Sequence, residues 1–275
     1  MVLCRMKNTG EFDPRLISMQ GKAQLDERLR FFEACEMQRG QARRGGIGTL
    51  REKTLHAVLK RYIEPDVSKH EIPVAGHIAD VLNDDGIFEI QTRNFDKLRG
   101  KLTHVLNDTD LHITVVHPIP ATKKLIWIDQ NSGEMSKPRK SPKCGAFFDA
   151  FKELYKLSEL VCTERVSVLL LLVDVDEYRL LDGWSMDKKK GSSRFERIPV
   201  ALVDSILLEN RSDYISLLPA DLPEQFTSRC LAETAKLLIG TAQTVLTVLS
   251  RVGAVKCVGK NGRLKLYSII EKAAE

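Results

Sequence analysis

The sequence predicts an α/β protein in which a mixed sheet is followed by a small C-terminal module of helices and a hairpin. Three observations support this fold class. Between residues 48 and 116, helix-type and strand-type patterns follow one another in the order helix, three strands, helix, strand. Residues 166–173 are dominated by Val and Leu, which is typical of a strand buried on both faces. From residue 228 onward, amphipathic helical patterns precede two strand-type runs around Asn261-Gly262.

The composition is typical of a folded globular chain. Its 275 residues are 43% hydrophobic and 29% charged. The longest largely apolar run, residues 166–173, is far shorter than a membrane span, so we expect no membrane association. The N-terminus lacks the apolar segment of a secretory signal. Six cysteines are scattered without a C-x-x-C pair, which indicates a reducing cytoplasm rather than a disulfide framework or a zinc ribbon.

We divide the chain into an N-terminal extension (residues 1–46), an α/β domain (47–210) and a C-terminal domain (211–275). In the extension, residues 24–44 carry apolar side chains at helical spacing and lead into a basic, Gly-rich linker. No chemistry is predicted for this segment.

The α/β domain begins with a predicted helix from residue 48 to about residue 62. Its apolar stripe runs from Leu55 to Tyr62. Glu52 borders this stripe and has two interpretations. With Thr49 it fits a capping box, in which it only accepts a backbone N–H at the helix start. Alternatively, it is a catalytic carboxylate.

Three strand-type runs follow the helix, at residues 71–74, 78–82 and 87–92. The last two are joined by Asn83-Asp84-Asp85-Gly86, whose residue types tolerate the positive φ of a tight turn. A hairpin with this turn places Leu82 opposite Ile87.

The same register places two acids, Asp80 and Glu89, opposite each other. Because side chains alternate along a strand, Gln91 is expected on the same face as Glu89. Facing carboxylates are destabilising unless a proton or a cation lies between them. The hairpin is therefore the first candidate for a functional site.

The rest of this domain alternates between helices, strands and basic loops. The predicted elements are a helix at 94–106 that Asn94 begins, strands at 111–116 and 124–129, a helix at 147–157, a strand at 166–173 and a helix at 200–208. Pro118 is expected to end the strand at 111–116. The basic segments 137–143 and 184–197 are predicted loops.

The C-terminal domain is predicted to be a winged helix-turn-helix. A helix at 228–238, a second helix that Thr241 begins and Gly253 ends, and a hairpin at 254–269 follow in the order of that motif. From Phe226 onward, eight Lys and Arg oppose three Asp and Glu, which favours a polyanionic partner. The residues expected to contact DNA are Gln243, Thr244, Arg251, Lys256, Lys260, Arg263 and Lys265. Winged helices also serve in protein docking and dimerisation, so a homodimer is the alternative use of this domain.

The order of elements, an acid in the first helix and the D…E-x-Q pattern of Asp80, Glu89 and Gln91 resemble the PD-(D/E)XK nuclease superfamily. The similarity covers residues 49–116. It implies a restriction-endonuclease-like mixed sheet with an αβββαβ core. It also implies that Asp80, Glu89 and the main-chain carbonyl of Ile90 hold Mg²⁺ or Mn²⁺, and that Glu52 is the first-helix glutamate of the family.

Gln91 stands where the superfamily usually has a lysine that positions or activates the attacking water. Glutamine carries no charge, yet it can orient a water by hydrogen bonding. The resemblance then implies that a displaced cation supplies the charge. Arg93 is the first choice, because the predicted strand places it on the same face; Lys97 and Lys101 on the next helix are weaker choices.

These observations predict a metal-dependent deoxyribonuclease, because a hard cation held by carboxylates can neutralise the phosphate and activate water. The alternative is a non-catalytic DNA-binding regulator built on a degenerate nuclease-like scaffold. Cleavage of DNA in the presence of Mg²⁺ or Mn²⁺ distinguishes the two.

Overall fold

A seven-stranded mixed sheet lies at the centre of the described residues, which are 19–45, 54–157, 159–183 and 191–270 of a computed structural model. Its strands are β1 (His70–Val74), β2 (His77–Asn83), β3 (Gly86–Ile90), β4 (Ile113–Asp129), β5 (Arg139–Lys140), β6 (Val166–Leu181) and β7 (Ser193–Leu208). In space they follow the order β1-β2-β3-β4-β6-β7, and β5 pairs with β4. β4 is parallel to both β3 and β6, whereas the other pairs are antiparallel. The predicted α/β class with a mixed sheet is confirmed.

The helices in these ranges are α1 (Met19–Gly45), α2 (Thr54–Ile63), α3 (Leu98–Asp108), α4 (Phe151–Leu154), α5 (Arg211–Ser216), α6 (Ser228–Thr234) and α7 (Ile239–Arg251). α2 precedes β1, and α3 connects β3 to the parallel strand β4. The predicted order of helix, three strands, helix and strand is therefore confirmed. None of the helices in the described part of the chain combines the length and apolarity needed to cross a membrane.

Helices cover both faces of the sheet and bury a separate hydrophobic cluster on each. α1 and α2 contribute Phe31 and Leu59 to one cluster, which also contains Val116 of β4. The other cluster contains the neighbouring Val115 together with Leu102 of α3. Successive side chains of a strand point to opposite faces, so these two clusters lie on the two sides of the sheet.

β4 is longer than predicted, because it continues through Pro118 and Pro120 to Asp129. The prediction that Pro118 ends this strand was wrong. β3 ends opposite Val116 and β5 pairs with β4 only from Lys124 onward, so no strand pairs with this side of β4 at Pro118 and Pro120, where a missing backbone N–H is tolerated. On its other side β4 stays paired with β6 along its length.

The predicted helix at 200–208 was also wrong, since these residues belong to β7. The segment pairs antiparallel with β6, with Leu202 opposite Val173 and Leu208 opposite Val168. A short apolar run fits helical and strand periods alike. Here the segment is a strand because it pairs with the edge of β6 that β4 leaves open. β7 begins at Ser193, so residues 193–197 of the predicted basic loop are strand as well.

The C-terminal part forms a small sheet and two packed helices. Its strands are β8 (Gln225–Thr227), β9 (Val255–Asn261) and β10 (Leu264–Ile269), in the order β8-β10-β9. The predicted succession of helix, helix and hairpin is confirmed. α7 begins at Ile239, not after Thr241, and Leu238 precedes it in extended conformation. Val245 and Leu249 of α7 belong to the same hydrophobic cluster as Val115 of the large sheet, so the two parts share one core.

Candidate active site

The hairpin of β2 and β3 forms with the predicted register. Leu82 lies opposite Ile87, and Asn83 lies opposite Gly86. The Asn83 side chain closes the turn by accepting the backbone N–H of Asp85 at 3.0 Å. Gly86 has φ of +111°, and a Cβ there would lie 2.4 Å from the carbonyl oxygen of His112. Only glycine fits this position without a backbone shift.

Asp80 lies just beyond the last regular pair of the hairpin, Val81 with Phe88. Its Oδ2 accepts the backbone N–H of Ile90 at 2.7 Å and lies 3.3 Å from Nε2 of His56 on α2. Partial burial would raise the pKa of Asp80, but the hydrogen bond and charge of His56 and the Ile90 N–H outweigh it, so that the pKa is lowered.

Glu89 is buried, with 3% of its surface exposed. Lys101 of α3 places its Nζ 2.6 Å from the Glu89 carboxylate and donates a second hydrogen bond to the carbonyl of Ile78 at 2.6 Å. Burial raises the pKa of Glu89 to about 7 in spite of Lys101, and the negative charge of Asp80 adds to this rise. The Lys101 ammonium also helps lower the pKa of Asp80. Lys101 is therefore a cation that acts on both carboxyl groups, although the paired register of the hairpin ends at Val81 and Phe88 and does not include the predicted pair of Asp80 with Glu89.

Sequence reasoning undervalued His56 and Lys101. Each lies on a helix that is adjacent to the hairpin only after folding, so sequence spacing alone did not pair it with an acid. The available signal was helical position: His56 follows Leu55 of the buried face of α2, and Lys101 precedes Leu102 of the buried face of α3.

Gln91 and Arg93 were predicted to lie on the strand face of Glu89, and this prediction was wrong, because β3 ends at Ile90. The Gln91 side chain folds back and donates to the carbonyls of Arg93 at 2.7 Å and Asn94 at 3.3 Å. Asn94 has left-handed backbone angles and makes no side-chain capping bond, and the helix that follows starts with a short 3₁₀ turn.

The proposed first-helix acid, Glu52, lies outside the described residues.

A cleft of about 540 Å³ opens beside this site, between α2, the end of β3 and the start of β7. We call it the basic cleft, after Arg93, Lys97, Arg194 and Arg197 in its wall. The remaining lining residues are Leu55, His56, Ile90, Gln91, Thr92, Asn94, Phe195 and Glu196. His56 contacts Asp80 and also lines the cleft, so the carboxylate pair and the basic cleft are adjacent.

The C-terminal candidates are not among the residues that line the basic cleft. Gln243, Lys256, Lys260, Arg263 and Lys265 are exposed. Thr244 donates its hydroxyl to the carbonyl of Gly240 at 3.0 Å, within its own helix. The guanidinium of Arg251 lies 4.8 Å from the ring centre of Tyr155, so this side chain packs against the α/β part.

Within the described ranges, no three His, Cys, Asp or Glu side chains are grouped so that they could hold a metal ion by themselves. A cation at Asp80 and Glu89 would complete its coordination with backbone carbonyl oxygens and water, as Mg²⁺ commonly does in proteins.

Fold and site together define an α/β protein with a mixed sheet and a buried, cation-paired carboxylate on its second hairpin. The model of a protein family described as "Domain of unknown function (DUF8091)" matches residues 53–209, which is more than half of the chain. The chain belongs to this family. It is also 32% identical over 233 residues to an uncharacterized protein of Treponema pallidum (strain Nichols), covering 80% of this chain and 86% of that protein. No solved structure matches the chain.

Proposed function

We propose that this protein is a metal-dependent nuclease that hydrolyses DNA phosphodiester bonds, with the restriction-endonuclease-like arrangement of the PD-(D/E)XK superfamily. The observation that supports it most is the coupling of Asp80 and Glu89. Burial, with a contribution from the Asp80 charge, raises the pKa of Glu89 to about 7 although Lys101 lies against it, so a bound divalent cation would favour the ionised form of Glu89 beside Asp80.

The residues present fit a hard divalent cation such as Mg²⁺ or Mn²⁺. The charge of Asp80 acts on the Glu89 carboxyl group, and the carbonyl of Ile90 follows directly after Glu89. Oxygen donors of this kind are what such cations prefer. When bound, the cation would neutralise developing charge on the phosphate and lower the pKa of a coordinated water.

Lys101 supports the proposal because it supplies the charge that Gln91 lacks. Its ammonium lies 2.6 Å from the Glu89 carboxylate. The usual lysine of the superfamily stands two residues after this glutamate, at the position of Gln91. In this role Lys101 orients the attacking water and stabilises charge on the phosphate. His56 holds the Asp80 carboxylate in place. Gln91 fixes the loop that presents Arg93 to the basic cleft.

The C-terminal domain supports a DNA substrate, since its element order is that of a winged helix. In this proposal the wing, β9 and β10, contacts duplex phosphates through Lys256, Lys260, Arg263 and Lys265, which are exposed. In the same proposal, Gln243 and Thr244 on α7 lie near a groove of the duplex DNA.

The test is incubation of plasmid and linear DNA with Mg²⁺ or Mn²⁺, with and without a chelator. We expect metal-dependent cleavage that Asp80→Asn reduces by roughly a thousandfold, because a metal-binding and charge-stabilising group is lost. Asp84→Asn is the matched control, since it removes an exposed acid from the turn of the same hairpin and should retain activity. Cleavage that persists in Asp80→Asn contradicts the proposal.

A non-catalytic DNA-binding regulator is the second candidate. The observation that favours it is that each acid already has a cationic partner in the protein, His56 for Asp80 and Lys101 for Glu89. A chain that binds duplex DNA, cleaves none of the substrates with either metal, and melts at the same temperature with and without metal would establish this candidate.

A further inference from the structure

Three cations of the basic cleft have no partner among the described residues. Within the part of the chain that the structure describes, the side chains of Arg93, Lys97 and Arg194 form no hydrogen bond and no ion pair. All three are at least partly exposed to solvent. Unpaired cations gathered in one concave surface repel each other, and an anionic ligand relieves that repulsion.

The fourth cation, Arg197, is held in a fixed position. Its Nε donates to Oε2 of the buried Glu177 at 2.8 Å, and Arg179 donates to the other oxygen of the same carboxylate at 3.1 Å. Partial burial and the nearby charge of Arg197 lower the pKa of Arg194. One buried carboxylate thus keeps the guanidinium groups together without neutralising the cleft.

An aromatic ring lies among these cations. The pairing of β6 with β7 shifts between Tyr178, which faces Glu196, and Arg179, which faces Arg194. Phe195 is therefore the extra residue of a β-bulge, a device that redirects side chains and is common beside binding sites. Its side chain lines the basic cleft and is 51% exposed, although it is large and apolar.

We propose that the basic cleft binds single-stranded DNA, with Arg93, Lys97 and Arg194 on backbone phosphates and Phe195 stacked on an unpaired base. Cationic grooves that contain an exposed aromatic ring are the common solution for single strands, because every base presents a π-face once it is unpaired. A duplex buries those faces, so a stacking ring gains nothing from it. The choice of DNA rests on the proposed function, and the cleft adds the substrate class: DNA with an unpaired stretch beside the carboxylate pair.

The experiment measures binding of a labelled single-stranded oligonucleotide and of the matching duplex by fluorescence anisotropy, in chelator so that nothing is cleaved. The cleft variant carries Arg93→Gln, Lys97→Gln and Arg194→Gln. Its matched control carries Lys124→Gln, Arg139→Gln and Lys140→Gln, which removes three exposed cations from β4 and β5. We expect the cleft variant to bind the single strand roughly tenfold more weakly or worse, with the salt slope reduced by about 2, and the control to behave like wild type.

A second variant tests stacking independently of charge. Phe195→Ala should weaken single-strand binding by roughly fivefold or more and leave both the salt slope and duplex binding unchanged. This variant removes an exposed side chain, so it also serves if the triple variant fails to fold. Equal affinity of the cleft and control variants, or full single-strand affinity in Phe195→Ala, overturns the proposal.

The same measurements distinguish failure of the nuclease proposal from failure of the cleft proposal. If the cleft variants lose single-strand binding but the wild type never cleaves with Mg²⁺ or Mn²⁺, the cleft proposal holds and the catalytic proposal fails. If Lys256→Gln with Lys260→Gln and Arg263→Gln abolishes single-strand binding while the cleft variant does not, the wing is the single-strand site and the cleft proposal fails.

Discussion

Asp80 and Glu89 are two carboxyl groups on one hairpin, but the regions around them shift their pKa values in opposite directions. Asp80 stays partly exposed and combines the Ile90 N–H with His56 of α2, and its pKa is lowered. Glu89 is almost completely buried, and Lys101 of α3 does not fully offset the desolvation, so its pKa rises to about 7. α2 and α3 pack on opposite faces of the sheet.

The difference teaches that pairing an acid with a cation does not decide its protonation state. The decisive quantity is how many donors replace the lost water. Two neighbouring carboxylates whose pKa values are pushed apart are the arrangement that lets one group stay ionised while the other exchanges a proton.

The largest expected effect comes from a change that disturbs both regions at once. Gly86→Ala forces an alanine to φ of +111° and brings its Cβ to 2.4 Å from the His112 carbonyl oxygen. We expect a loss of about 3 kcal/mol or more in unfolding free energy, measured by urea denaturation. Gly76→Ala is the control: Gly76 has φ of +73° but nothing within 4 Å, so about 1 kcal/mol is expected. Equal losses would show that the contact with His112 is unimportant.

A change at Glu89 should alter how stability depends on pH. The pKa of Glu89 in the folded chain, about 7, lies above its usual value of 4.5, so folding favours the protonated form. Its contribution to stability is complete below about pH 4.5 and is lost as the pH rises through 7, by about 3 kcal/mol. Glu89→Gln cannot ionise, so the variant should gain that amount relative to wild type between pH 4.5 and 8.

Urea denaturation of both proteins at several pH values checks this expectation. Asp84→Asn controls for the removal of an acid from the same hairpin. A difference between Glu89→Gln and wild type that stays constant with pH would mean that Lys101 keeps Glu89 ionised throughout.

The smallest effect on the unfolding free energy, with a pH dependence opposite to that of Glu89, is expected for a change at Asp80. Its pKa in the folded chain is lowered, so its contribution is present above the usual value of 3.8 and is lost as the pH falls through the folded value. Asp80→Asn should therefore lower the unfolding free energy at pH 7 by about 1–2 kcal/mol, because charge-assisted bonds to His56 and the Ile90 N–H are weakened. The loss should disappear in acid. If the variant is instead more stable than wild type at pH 7, repulsion from Glu89 outweighs these two bonds.

Much of the fold was predictable because local patterns and tertiary packing agree. The Asn83–Gly86 turn and the pairing of Leu82 with Ile87 follow from turn chemistry and alternation, and both are confirmed. Gly253 ends α7 with φ of +72°, as its position after the apolar stripe predicted. Where local preference was ambiguous, as in residues 200–208, the available edge of β6 determined the strand.

The sequence by itself determined the hairpin, the two acids on it, the order of helices and strands, and the basic character of the C-terminal end. Only the tertiary structure decided which cations the acids meet. His56 and Lys101 reach the hairpin from helices on two faces of the sheet, and Arg194 and Phe195 reach the cleft from a strand more than a hundred residues from Asp80 along the chain. The physical reason is range: turns and periodicity depend on neighbouring residues, whereas burial and charge pairing depend on segments that come together only when the chain folds.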